Sequence, residues 1–181
     1  MESLKGSLLF SSPALFDPNF RRTVILVGEH GEEGAMGVVL NRASETTVGE
    51  AVPELVDVAG ADTPVYIGGP VQPRAVLVLA EFDDPSAAAT MVVGDVGFAR
   101  ADGDLEHLAH TTRRARVFAG YSGWSPGQLE AELEEDSWIT EPVGATDLFP
   151  EPGGDLFGTA LRRKGGVYRL LAMIPSDPRA N

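Results

Sequence analysis

Apolar residues in this 181-residue chain fall in short runs separated by turn residues, the spacing of strands rather than of long helices. The runs predict strands over residues 7–10, 23–27, 36–40, 65–67, 75–79 and 115–119, with weaker ones over 90–93 and 97–100. Runs 23–27 and 75–79 are nearly all apolar and rich in branched side chains, the pattern of strands covered on both faces. Between them lie helical patterns. Residues 47–58 carry a stripe at Val48, Val52, Leu55 and Val56, interrupted by Pro53, which shortens or kinks a helix. Residues 102–113 begin with acids and end at Arg113 and Arg114, in keeping with the helix dipole. A third helix over 155–163 is closed by Gly165 and Gly166.

The clearest helix start follows Ser125. Ser125 reads as the N-cap, Pro126 takes the first helical position and Gln128 completes a capping box. Leu129 and Leu133 then share a face. The stretch GYSGWSPGQLEAELEEDSW, from Gly120 to Trp138, thus predicts strand end, glycine-rich turn and capped helix, bracketed by two tryptophans. Strands and helices alternate without a regular βαβ rhythm. The expected fold is α/β of the α+β kind: one compact domain over residues 1–181, a mixed β-sheet with flanking helices. Residues 141–154, with three prolines and three glycines, predict a loop-rich connection with a turn near Thr146.

Composition narrows the chemistry. The chain has no cysteine, which excludes disulfides, thiolate metal sites and a cysteine nucleophile. It carries 27 acidic against 14 basic residues, a formal net charge of -13, with Lys5 and Lys164 as its lysines. Such a field repels phosphate backbones and disfavours direct DNA binding. The N-terminus lacks a basic segment followed by a long apolar one, and no apolar run approaches the roughly 20 residues needed to span a bilayer. A cytoplasmic location without membrane association is expected.

The helix after Ser125 crowds Glu130, Glu132, Glu134, Glu135 and Asp136 together, and the last of these oppose the helix dipole. It reads either as a solvated acidic face or as a dock onto one of two basic clusters: Arg113, Arg114 and Arg116, or Arg162, Arg163 and Lys164.

No catalytic constellation emerges. Ser122, in Gly-Tyr-Ser-Gly-Trp, sits in the setting of a nucleophile elbow, but Trp124 holds the place where that turn needs glycine, and no histidine follows His110. His107 and His110 are spaced i, i+3, not the i, i+4 of zinc protease helices. The clusters Gly34-Ala35-Met36-Gly37 and Gly68-Gly69-Pro70 match no phosphate loop and read as tight turns at strand ends. His30, at a strand end, and Asn41-Arg42, after an apolar strand, are the polar positions where a site residue is expected; Arg42 has the chemistry to clamp an anion. Trp124, beside two glycines, could wall a pocket.

Several ordered segments carry a resemblance. GSLLFSSPALFDPNFRRTVIL, EHGEEGAMGVVLNR, VYIGGPV, VFAGYSGWSPGQLEAELEEDSW and the tail from Asp177 to Asn181 resemble the YqgE/AlgH family of bacterial proteins, across essentially the whole chain. Ala43 stands where that family often has proline after Asn-Arg. The resemblance implies a compact α/β domain. It implies little about activity: the family is largely uncharacterised, and some members carry the label of transcriptional regulator, linked to exopolysaccharide production, without a recognised DNA-reading motif.

Together these readings predict a non-enzymatic cytoplasmic regulator that acts through protein contacts or a small ligand, with no metal or cofactor and as a monomer rather than a homodimer. Its expected surface is a shallow groove bordered by His30, Asn41, Arg42, Gly69, Trp124 and Gln128. The alternative is an anion- or metabolite-binding module, or an enzyme, built on Arg42 and His30.

Overall fold

The computed structural model describes residues 2–173 except 14, 16, 101, 145 and 152. The tail motif from Asp177 to Asn181 lies outside the described residues. Ten strands form one curled sheet: β1 (Ser7–Ser11), β2 (Val24–Gly31), β3 (Gly34–Val39), β4 (Ala43–Thr47), β5 (Pro64–Ile67), β6 (Val71–Phe82), β7 (Ala88–Val93), β8 (Val96–Ala99), β9 (Thr112–Trp124) and β10 (Trp138–Pro142). The helices are α1 (Val48–Ala51), α2 (Val56–Ala59), α3 (Leu105–Thr111), α4 (Gln128–Glu134), α5 (Leu156–Lys164) and α6 (Tyr168–Ala172). The strand order is β10-β1-β2-β3-β9-β6-β8-β7, with β4 on β5 and β5 parallel to β9. The other registered pairs are antiparallel, so the sheet is mixed, as expected.

Strand β9 is the spine. Its residues from Thr112 to Ala119 pair with β6, and Ser122, Gly123 and Trp124 pair with β3. Between them Gly120 takes φ +71, a conformation that favours glycine, and a Cβ there would lie 2.6 Å from the Gly69 carbonyl oxygen. The strand therefore bends at Gly120 and continues. This corrects the predicted strand end: the glycine-rich segment is a corner within β9, not a turn into a helix.

The bend folds the two halves of the sheet face to face. Leu8, Phe10, Val24, Leu26 and Val38 of one half meet Leu79, Phe98 and Phe118 of the other, and Leu156, Phe157, Ala160 and Leu161 of α5 close the side. The neighbours of those residues point outward into two further layers. Val65, Val78, Ala80 and Val117 lie under Val48, Leu55 and Leu108 of the α1–α3 layer. Leu9, Ile25, Val27 and Val39 lie under Leu129, Trp124 and Trp138. Strand β2 is thus buried on both faces, as its apolar run predicts. Strand β6 is not: Val76 is 48% exposed, because the helical layer stops short of it.

Local rules explain the helix boundaries. Pro53 splits the predicted helix over 47–58 into α1, a 3-10 turn at Pro53–Leu55 and α2, with Thr47 and Glu50 forming a capping box at its start. Asp104 caps α3 and Asp155 caps α5 through backbone N–H groups one turn on. The predicted cap at Ser125 is displaced. Gly127, left-handed at φ 78, precedes α4, while Gln128 still accepts a hydrogen bond from the Ser125 N–H. Strands β4 and β10 and helix α6 were not expected from the apolar pattern; all three are short.

Candidate functional site

The imidazole of His30, near the end of β2, has a side-chain exposure of 3%. The Leu4 N–H donates to Nδ1 at 2.9 Å, so the hydrogen sits on Nε2, which donates to Oε1 of Glu130 on α4 at 2.6 Å. Both ring nitrogens are used internally. The bond from His30 holds the Glu130 carboxyl below its ordinary range. A carboxyl depressed in the folded state stabilises above its unfolded pKa, and that stabilisation is lost as pH falls through the folded one. Glu130→Gln is therefore expected to be less stable than wild type at neutral pH. In urea titrations at a series of pH values, the gap should close below about pH 4.

Glu132, two residues further along α4 and on another face of it, organises the tryptophans. Its Oε2 accepts from Nε1 of Trp124 at 2.9 Å and of Trp138 at 2.7 Å, and its Oε1 accepts from Gln128 Nε2 at 3.0 Å. The indoles meet edge to face, 5.9 Å apart, and Phe20 packs on Trp138 in the same way. The acids of α4 therefore do not dock onto either arginine cluster. Arg113 pairs with Glu81, Asp83 and Asp95, and Arg114 with Glu81; Arg116 bonds the Tyr66 hydroxyl. Arg162 pairs with Asp155, Arg163 with Asp147 and Lys164 with Glu141.

Asn41 and Arg42 serve the other end of the hairpin. Asn41 Oδ1 accepts from the Val24 N–H at 3.0 Å, and its Nδ2 donates to the Arg22 carbonyl at 2.9 Å. The Arg42 guanidinium donates to the carbonyls of Asn19, Pro18 and Arg21, clamping the loop before β2. Burial lowers its pKa, with Asp17 opposing. The sequence-based anion clamp is thus occupied by carbonyl oxygens of the chain. Arg42→Ala is expected to cost about 1–2 kcal/mol, read as a lower urea midpoint, and Arg42→Lys to recover only part, since one ammonium cannot span three carbonyls.

Ala35 of β3 sits opposite both His30 and Trp124, whereas Asn41 lies six residues further on, about 20 Å along an extended strand. The six residues therefore do not border one groove. His30, Trp124 and Gln128 gather around α4, Asn41 and Arg42 hold a loop, and Gly69 is wedged against Tyr121 and Ser122. Ser122 is fully buried, and its hydroxyl donates to the Gly68 carbonyl at 3.1 Å. His110 bonds the Glu106 carbonyl and His107 faces Asp84 at 3.8 Å. Among the described residues, no three His, Asp or Glu side chains are grouped to hold a metal ion.

The open concavity lies elsewhere. A cleft of about 580 Å³ runs between the α1–α3 layer and the free side of β6. Val76, Leu77 and Val78 form one wall with Phe98 and Ala99; Val52, Leu55, Leu105 and Leu108 form the opposite one; and Met36 closes an end. Its polar rim is Glu29, Glu54, Thr90, Arg100 and Asp102. A second lobe of about 570 Å³ shares Glu54 and Leu105 and adds Asp57, Glu106 and His110. Such volumes match ordinary ligand or peptide sites. Val76 and Leu105 remain 48% and 38% exposed, which puts apolar surface in water at the mouth. Sequence reasoning missed this cleft because the run over 75–79 looks the same whether a helix covers it or not.

Comparison with known proteins agrees with the architecture. Residues 8–169 match the family model described as AlgH-like. UPF0301 proteins of Mycobacterium ulcerans and Rhodococcus jostii are 40% and 41% identical, each alignment covering 97% of this chain and 90% of the relative. A Corynebacterium diphtheriae protein known from its crystal structure superposes with a TM-score of 0.86 at 28% identity, over 96% of this chain and 94% of that one. The solution structure of AlgH from Pseudomonas aeruginosa gives 0.72 at 30% identity, over 97% and 98%. The curled sheet bent at Gly120, the glycine-rich strand ends and these matches together place the chain in the AlgH-like family.

Proposed function

We propose that the protein is a non-enzymatic regulator that works by holding a protein partner in the cleft beside β6. The exposed apolar mouth at Val76 and Leu105 carries this reading: it leaves apolar surface in water beside a preformed concavity. The side chains best suited to chemistry support it from the other direction. His30, Arg42 and Ser122 each spend their polar atoms on the chain itself, which weakens the rival reading of an anion-binding module or enzyme built on Arg42 and His30. Among the described residues no helix is long and apolar enough to cross a membrane. In this proposal the protein acts in the cytoplasm, with any effect on transcription passing through a bound partner rather than through DNA contact, given the net charge of -13.

A photo-cross-linking amino acid at position 76 in the native cell tests this. A discrete adduct from position 76, missing when the same group replaces exposed Val167 in the turn before α6, is the expected result. No adduct at position 76 under conditions where the protein remains folded would overturn the reading.

A further inference from the structure

We infer that the cleft takes an extended, basic segment of the partner, added as a new strand to the free edge of β6. This rests on the partner-binding reading above and names its chemistry. Strand β8 pairs with β6 only at Leu79, Ala80 and Glu81. By that register Ala99, the last residue of β8, stands beside Val78, and among the described residues no strand pairs with β6 from Arg74 to Leu77 on the side away from β9. Folded proteins usually guard such an edge with charge, proline or a covering segment. Here Pro73 marks one end, but the next stretch presents Val76, Leu77 and Val78 to the cleft. Strand addition suits this geometry because main-chain bonds supply affinity while alternate side chains fill pockets. Val76 and Val78 share the sheet face on which the helical layer packs further along, and Leu77 points to the opposite one. An incoming strand can therefore set every second side chain against Leu105.

Charge selects the segment. The cleft carries Glu29, Glu54 and Asp102 against Arg100, and the adjoining lobe adds Asp57 and Glu106. Lys5 partly offsets Glu29 at 3.2 Å, and Arg74 stands at the far end of the edge. The balance stays negative, within a chain of net charge -13, so a cationic strand is drawn in and an acidic one repelled. The same balance argues against a second copy of this chain as occupant. The four residues from Arg74 to Leu77 span about 13 Å, which sets the pairing segment at about four residues.

Fluorescence anisotropy with labelled eight-residue peptides tests the inference on the full chain near physiological salt. An alternating Val/Lys peptide should bind at least about tenfold more tightly than Ser/Lys or Val/Glu peptides. N-methylation of every second residue should abolish binding in one register and spare it in the other, because only one set of N–H groups can face β6. Val76→Lys, which guards the edge, should weaken binding about tenfold, and its thermal melt verifies folding. Equal binding of Ser/Lys and Val/Lys would reduce the effect to charge attraction, and equal binding of both N-methyl registers would exclude strand pairing; either result overturns the inference. An adduct from position 76 with an acidic or helical partner would leave the partner-binding reading standing and overturn this one alone.

Discussion

Replacing Glu132 with alanine is expected to lower the unfolding free energy by about 2–5 kcal/mol. The magnitude follows from what the carboxylate leaves behind. Trp124 and Trp138 are 6% and 5% exposed, and both direct their indole N–H at the same Glu132 oxygen. Each buried donor stranded without an acceptor costs about 1–3 kcal/mol. For a chain of this size the loss corresponds to a melting point lower by about 5–15 °C. Glu132→Gln should cost only about 1 kcal/mol, since the amide oxygen can still accept from the indoles while its NH2 group faces the donor of Gln128. The two tryptophans of the chain are both in this cluster, so fluorescence-detected urea unfolding reports on it directly. Equal stability of wild type and alanine variant would mean that water reaches the indoles and the clamp contributes nothing.

Gly69→Ala is expected to be at least as damaging, by about 4 kcal/mol or more, and to abolish soluble expression if the remaining stability is small. Gly69 has φ +155, and a Cβ there would lie 2.3 Å from the Tyr121 carbonyl carbon and oxygen and 2.4 Å from the Ser122 nitrogen. Those are main-chain atoms of the bent spine and cannot swing aside. Gly94→Ala is the matched control. Its φ of +54 is also left-handed, but nothing lies within 4 Å of the new methyl group. Its cost should be the backbone term alone, about 1 kcal/mol. Thermal melts of the two variants separate steric exclusion from conformational preference, and similar values would show that the approach of residue 69 to β9 is not tight.

The strand framework was legible because β1, β2, β3 and β9 bury adjacent residues on opposite faces, and that leaves long apolar runs in the sequence. Edges and corners were not. Gly120 reads as the end of a strand because a single glycine marks a turn and a bend alike. Strand β10 escaped because only Trp138 and Ile139 are large and apolar in a segment that closes with Thr, Glu and Pro. The site was less legible still. His30, Arg42 and Gln128 look like surface chemistry in sequence, yet His30 and Arg42 meet partners far away along the chain, Glu130 and the carbonyls of residues 18, 19 and 21, while Gln128 bonds a carboxylate one turn on that also holds two indoles. Polar residues that repeat in ordered motifs can be internal fasteners as readily as binding groups, and single-chain spacing does not separate the two. The cleft was invisible for the opposite reason: its walls are the same aliphatic residues that build the core.

Because β9 contributes hydrogen bonds to both halves of the sheet, neither half has a full set of neighbours without the other. Amide exchange with deuterium should then give the slowest positions of β3 and of β6 a common opening free energy instead of two separate ones. Cutting the polypeptide at residue 120 should likewise yield fragments that acquire structure only when mixed.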